Sequence, residues 1–349
     1  MNLNEELHYA YNVAKKHKSN KNYVLSFNKN LENNLFDLEN ELKNKTYTAQ
    51  QSICFLINRP KKREIFAAQF RDRIVHHLFF NRTHELFEIT FIYDSYSCIK
   101  GKGTHFGIER LKHHIASESN DYKKTCYVLK LDIKGYFMAI HKPTLLNIVL
   151  GELKKGGIED ELTLWLSEQI IMLKPTENCI MLSDEQEYKD LPKTKTLFNS
   201  EKDCGLPIGN LTSQLFSNVY LNVFDQYMKR VLKCKHYGRY VDDAYVISCD
   251  KEFLKKVKNK AREFLKDRLR LTMHEGKTRI SNVKYGVEFL GAFVKEGRTY
   301  ISNQSLRRMN NTNFRNSKHK LDSAISRQGL LSHYKSYNIR QKLFIDGKL

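Results

Sequence analysis

Two short runs rich in Tyr and Val, His236-Tyr237 with Arg239-Tyr240-Val241 and then Ala244-Tyr245-Val246-Ile247-Ser248, meet at two adjacent carboxylates, Asp242 and Asp243. β-Prone runs joined this tightly predict a hairpin with the acids at its tip. Neighbouring aspartates at a turn repel each other unless a cation neutralises them. A hard divalent ion does this well, because Mg²⁺ takes oxygen ligands and usually only one or two protein carboxylates. A plain surface turn accounts for the same residues, since Asp favours turns. The meaning of the pair therefore depends on what stands before and after it.

The chain has 349 residues, enough for two or three subdomains and a substantial core. It carries 59 Lys and Arg against 39 Asp and Glu, a formal charge of +20. Such an excess points to a polyanionic partner, nucleic acid or an anionic membrane surface. No apolar run approaches the roughly 18 residues that a membrane span requires, and the N-terminus lacks a signal peptide's basic and apolar regions. Nucleic acid is the expected partner, with no membrane. Seven cysteines are scattered singly, without a Cys-x-x-Cys, which predicts free and mostly buried thiols in a reducing cytoplasm. The adjacent pairs His76-His77 and His113-His114 lack metal-ligand spacing and read as packing or phosphate-contacting residues.

Residues 1–50 are helix-prone and charged, with Leu31, Leu35, Leu38 and Leu42 marking one apolar face. Basic and apolar side chains alternate from Lys61, Lys62 and Arg63 onward, so a strand over 61–66 would present cations on one face. Such cations suit a triphosphate or a nucleic-acid backbone, or else form a solvated basic surface. Lys100-Gly101-Lys102-Gly103 is a flexible basic loop before a helix-like stretch from Phe106 to about Ile115. A β-prone run from Cys126 ends in Asp132 and turns at Gly135. Thr144–Leu153 reads as a helix, and residues 156–204 as a polar, loop-rich segment with one hairpin. Gly205-Leu206-Pro207-Ile208-Gly209-Asn210 is a tightly punctuated loop; Thr212 is the expected N-cap of a helix to about Leu232. After the Asp-Asp pair come a basic amphipathic helix over Phe253–Leu269 and two short strands within 271–280 and 286–294. From Arg298 onward eleven Lys or Arg face only Asp322 and Asp346, interleaved with aromatics in a way that suits a groove gripping a duplex.

Taken in order, Asp132, the Gly205–Gln214 loop with its helix, Tyr240-Val241-Asp242-Asp243, Lys277 and Gly286–Gly291 make a specific series. The chain resembles a reverse transcriptase from about Arg59 to its C-terminus. Within that family it looks most like the enzymes of diversity-generating retroelements. Their loop reads as Ile208-Gly209-Asn210-Leu211-Thr212-Ser213-Gln214 does here, where most of the family has Gln-Gly and Ser-Pro. Arg63-Glu64-Ile65, Phe70-Arg71-Asp72-Arg73, Gly101-Lys102-Gly103-Thr104 and Gly329-Leu330-Leu331-Ser332-His333 also look like that group. Ala244, where a large side chain is usual, and Ile99, where a basic one is expected, depart from it. Bacterial defence-associated reverse transcriptases are the nearest alternative, and a non-catalytic nucleic-acid binder is the alternative of another class.

The resemblance implies an α+β right-hand polymerase fold: fingers, a palm with an antiparallel sheet and packed helices, and a helical thumb. The expected segments are an N-terminal helical extension over 1–58, fingers over 59–125, palm over 126–155, a fingers or palm insertion over 156–204, palm again over 205–300, and thumb over 301–349. It implies Asp132, Asp242 and Asp243 as the catalytic carboxylates, with Ile133 beside them as a further ligand of two Mg²⁺ ions, for which Mn²⁺ can substitute. The incoming dNTP would meet Lys61, Lys62, Arg63, Phe137 as a steric gate, Ile208, Gly209, Gln214 and Lys277. Template and primer would meet Lys100, Lys102, Arg307, Arg308 and Arg315. The implied partners are an RNA template, a DNA or RNA primer, a structured non-coding RNA and a small basic accessory protein, in the cytoplasm of a bacterium or from a phage gene. With little chain beyond the thumb, RNase H and nicking activities are expected from elsewhere.

Overall fold

The computed structural model describes residues 2–58, 61–310 and 317–344. Its residues fall into two compact units. One holds Met1–Tyr93, Ile133–Leu232 and Ala261–His274; the other holds Asp94–Asp132, Lys233–Lys260 and Glu275–Leu349.

The first unit opens with three helices, Leu3–Lys15, Asn22–Asn28 and Leu31–Lys43. Asn2 caps the first through a reciprocal box with Glu5, which satisfies two of the backbone donors a helix start leaves orphaned. Leu35, Leu38 and Leu42 are buried along the third helix, the face its leucine spacing predicts. A three-stranded sheet follows, of β1 (Ser52–Ile57), β2 (Arg63–Ala67) and β4 (Cys179–Met181), in the order β2-β1-β4. The Phe70–Glu88 helix packs Phe70 among Tyr11, Tyr23 and Phe27 and Phe79 against Phe216 of the Leu211–Gln226 helix. That last helix is buried on most of its circumference, with Gln214 exposed near its start.

Residues 156–204 depart from the loop and hairpin expected of them. They contain a helix, Glu161–Met172, whose start is fixed by the Asp160 carboxylate accepting from Thr163 N. The strand that follows, β4, pairs in parallel with β1 rather than folding on a neighbour. The long helix also differs at both ends. It begins after Asn210, two residues before Thr212, whose hydroxyl meets His76 Nδ1 at 2.7 Å instead of capping the helix. Its α-helical turns end at Gln226 and give way to a π turn over Tyr227–Val231.

The second unit is built on a four-stranded antiparallel sheet of β3 (Tyr127–Leu131), β5 (His236–Tyr240), β6 (Asp243–Ser248) and β7 (Arg279–Asn282), ordered β5-β6-β3-β7. A second sheet joins β8 (Val287–Phe289), β9 (Ala292–Lys295) and β10 (Arg298–Ile301). It also contains helices Thr104–Ser119, Asn303–Asn310, Ser317–Ser332 and Tyr337–Phe344 and the first part of the Lys251–Leu269 helix. One hydrophobic core gathers Ile108 and Leu111 of the Thr104–Ser119 helix, Val128 and Tyr245 of the first sheet, Phe289 and Val294 of the second, and Leu331 and Tyr334. Three cysteines are buried and four are partly or fully exposed; all seven are free.

Candidate active site

The register of the second unit's main sheet brings the acids together. β5 and β6 form the expected hairpin, with Tyr240 opposite Asp243 and Val241-Asp242 as its two-residue loop. β3 pairs with β6 as far as Leu131 opposite Ala244, so the next residue along, Asp132, lies beside Asp243. Three carboxylates from two strand ends thus share one corner of the sheet.

That corner is held from behind. Val241 sits in the left-handed region at φ +54°, costly for a β-branched residue. Arg239, fully buried, donates from Nη1 to Val241 O at 2.9 Å, and Val241 N donates to Ser97 Oγ at 3.3 Å. Arg239 also bridges to Ser95 through its backbone, with Tyr96 N donating to Arg239 O at 3.0 Å. The hydroxyls of Tyr96 and Tyr245 meet at 2.8 Å behind the hairpin. A Cβ on Gly238 would fall 2.3 Å from the Tyr96 hydroxyl, so this place in β5 tolerates only hydrogen.

The electrostatics follow from crowding. Burial, and next the charge of Asp132, raise the Asp242 pKa to about 6. Asp243 is also raised by burial, against the opposing charge and hydrogen bond of Lys130. Lys277 Nζ donates to both carboxylate oxygens of Asp132, at 3.0 and 3.1 Å. Among the described residues no three His, Cys, Asp or Glu side chains form a ready metal centre; Asp132 and Asp243 are each paired with a lysine. A cluster of half-buried carboxylates of which two resist ionisation still fits a hard divalent cation, whose positive charge offsets their burial and mutual repulsion. Lys130 is the residue that sequence reasoning missed. Its signal was a cation two positions before Asp132 on the same strand face.

The nucleotide candidates other than Lys277 lie in the first unit. The Gly205–Asn210 loop is strung between two elements there. Leu206 N donates to Phe137 O at 2.8 Å, and Phe66 N of β2 donates to Ile208 O at 2.9 Å. A Cβ on Gly209 would meet Phe66 O at 2.8 Å, with φ at +129°, so close backbone approach requires the glycine. Phe137 and Ile208 both pack against the cluster of Cys54, Phe66, Met138 and Leu197. Lys61 and Arg63 are exposed; Lys62 is half-buried, bonds to Glu187 O and pairs with Asp190 at 3.7 Å. Glu64, also missed, points inward from β2 and binds Thr196 Oγ1 at 2.7 Å and Leu197 N at 2.6 Å. Ile133 is buried directly after Asp132.

Of the nucleic-acid candidates, Lys100 is exposed, and Lys102 lies over the Phe106 ring in the loop before the Thr104–Ser119 helix. Arg307 is exposed and Arg308 half-buried on the Asn303–Asn310 helix. Arg315 lies outside the described residues.

The model of the family described as "Reverse transcriptase (RNA-dependent DNA polymerase)" matches residues 58–294, from before β2 to β9. The chain belongs to the reverse transcriptase family. Members of this family are RNA-directed DNA polymerases, a class of nucleotidyltransferase, and their domains generally use divalent metal ions. Among solved structures, apo telomerase from Candida tropicalis is similar over 79% of this chain and 51% of its own, at 13% identity and a TM-score of 0.52. A C-terminally truncated form of that apo telomerase matches over 72% of this chain and 55% of its own, at 14% identity and a TM-score of 0.49. Telomerase from Candida albicans, in complex with a TWJ fragment of telomeric RNA, matches over 82% and 52%, at 15% identity and 0.49. This reverse transcriptase chain spans about half the length of those proteins. At 13% identity the first likeness shows the fold, the α+β polymerase fold of helices with antiparallel sheets. No curated protein matches the chain.

Proposed function

We propose that this chain is an RNA-directed DNA polymerase whose centre is Asp132, Asp242 and Asp243. The carrying observation is the sheet register that sets Asp132 beside the Asp242-Asp243 turn, within the segment matched by the family model. Two Mg²⁺ ions, when bound there, would activate the primer 3′-hydroxyl and stabilise the departing pyrophosphate. The chain's own part is positioning and charge. Asp132, just after β3, and Asp242, in the hairpin loop that the Arg239–Val241 contact braces, supply hard oxygen donors. Lys277, long and solvated, is assigned to leave Asp132 and meet the phosphates. In the first unit, Arg63 with Lys61 or Lys62 is assigned to the incoming triphosphate, and Phe137, held by the Leu206 hydrogen bond, to exclusion of a 2′-hydroxyl. Lys100, Lys102, Arg307 and Arg308 are assigned to template and primer phosphates, in a cytoplasmic enzyme of bacterial or phage origin.

We further propose the role of a diversity-generating retroelement enzyme, supported by Ile208. Its apolar side chain packs against the same cluster as Phe137 and offers no amide to a nascent base pair, so pairing is judged more by shape and errors rise. The structured RNA and small basic accessory protein of such elements are the proposed partners. Extension of a primer on a defined RNA template with Mg²⁺ or Mn²⁺ tests both readings. Loss of extension in Asp132→Ala and Asp242→Ala, with errors concentrated at template adenine in the parent, is the expected result. Normal extension by either variant refutes the centre. Accurate copying of adenine refutes the mutagenic role and favours a defence-associated one.

A further inference from the structure

The charged side chains at this corner form two unequal ion pairs. Lys277 holds Asp132 with a side chain that is 61% exposed, so it can return to water when the carboxylate is needed. Lys130 is 17% exposed and has three partners. Its Nζ lies 2.6 Å from Asp243 Oδ1, donates to Glu288 O at 3.1 Å, and sits 4.8 Å above the centroid of the Phe289 ring. These partners come from the hairpin and from β8 in the second sheet, and Phe289 itself is buried edge-on against Tyr245. An ammonium has three donors and no acceptors. A short charge-assisted bond, a carbonyl and a ring face therefore suit it fully. Freeing Asp243 would strand this cation among a carbonyl and an aromatic face, whereas freeing Asp132 returns a lysine to solvent. For a divalent ion entering the site, the second route would cost less.

We propose that Lys130 is the permanent counter-ion of Asp243: a positioning residue that withholds this carboxylate from the metal-ligand set, leaves Asp132 and Asp242 to bind the ion, and fastens the catalytic hairpin to β8. The inference rests on the corner being the metal-binding centre proposed for this enzyme.

Binding of Mn²⁺ to the full chain without nucleotide, read from the electron paramagnetic resonance of the free ion, tests it independently of activity. Asp132→Asn and Asp242→Asn are expected to weaken binding by about tenfold or more, while Asp243→Asn stays within about twofold of the parent. Lys130→Met releases Asp243 and tightens binding by about threefold or more, an effect that Lys130→Met with Asp243→Asn abolishes. Lys130→Arg, which keeps the charge, matches the parent. Equal losses in Asp243→Asn and Asp242→Asn overturn the proposal, as does a folded Lys130→Met with unchanged affinity. If Lys130→Met does not fold, the asparagine series decides alone. Unaltered binding in both Asp132→Asn and Asp242→Asn is a different pattern: it removes the metal-centre reading and the proposal with it.

Discussion

Asp242→Asn is expected to stabilise the metal-free protein at neutral pH while abolishing DNA synthesis. Burial and the neighbouring Asp132 raise the Asp242 pKa from its ordinary 3.8 to about 6. The folded chain therefore binds a proton more readily than the unfolded one between about pH 4 and 6, and stability falls as pH rises through that window. The full shift corresponds to about 3 kcal/mol at pH 7 and above. Water at the half-buried carboxylate reduces this to about 1–2 kcal/mol. Asparagine keeps the shape and removes the charge, so the variant should melt about 1.5–3 °C higher than the parent at pH 7.5 in a chelating buffer. The gap should shrink as the pH is lowered through about 6 towards 4, where the folded parent's carboxylate is protonated and the unfolded one only partly so, and close below about pH 3. Mg²⁺ should narrow it from the other side, because an ion that binds only the folded parent at a hundred times its Kd contributes about 2.7 kcal/mol. Calorimetric or fluorescence melts of both proteins across pH, with and without Mg²⁺, make the measurement. A variant no more stable than the parent at pH 7.5, or a gap unchanged at pH 4, would refute the account of charge crowding.

Three further outcomes follow from the geometry. Gly209→Ala should lose about 1–3 kcal/mol from left-handed strain and the clash with Phe66 O, seen as a lower denaturation midpoint and a raised KM for dNTP. Phe137→Val should admit ribonucleotides at least about tenfold better by the ratio of kcat/KM for rNTP and dNTP; unchanged discrimination would make Phe137 a packing residue only. Replacing Arg307 and Arg308 by Gln should weaken template–primer binding and flatten its logarithmic salt slope by about one to two, and an unchanged slope in a filter-binding titration would leave both arginines as solvated surface.

The hairpin was legible because its information is local: Tyr and Val runs on either side of two acids allow one economical arrangement, and the structure adopts it. The Leu31–Lys43 helix and the basic Lys251–Leu269 helix were legible for the same reason, through leucine and valine spacing. Long-range partners were not. Nothing near Cys179 announces that β4 will lie parallel to β1, 127 residues away in the Leu56 N to Ser183 Oγ bond that adjoins them. Glu64 and Lys130 read as ordinary charged strand residues until Thr196 and Glu288, 132 and 158 positions on, supply their partners. The Glu161–Met172 helix was hidden differently. Its neighbours are polar and irregular, and the apolar cluster of Leu162, Leu164, Trp165 and Leu166 was read with them instead of with the Asp160 cap. Thr212 looked like a cap because its side chain is the right kind; its hydroxyl had a better use on His76.

The core of the second unit bears on how this enzyme can be divided. The family match stops at residue 294, yet Ile301, Met309, Leu331 and Tyr334 are buried in the same cluster as Val128, Tyr245 and Phe289. Tyr245 lies on the catalytic hairpin's second strand, and Phe289 is the ring beneath Lys130. A fragment trimmed to the matched segment would strip these four side chains from the rear of the sheet that carries the acids. It would expose fresh apolar surface and aggregate. The catalytic corner and the last helices share one core, so an insertion or fusion placed in the chain after residue 294 is expected to act on the chemistry through the floor beneath it.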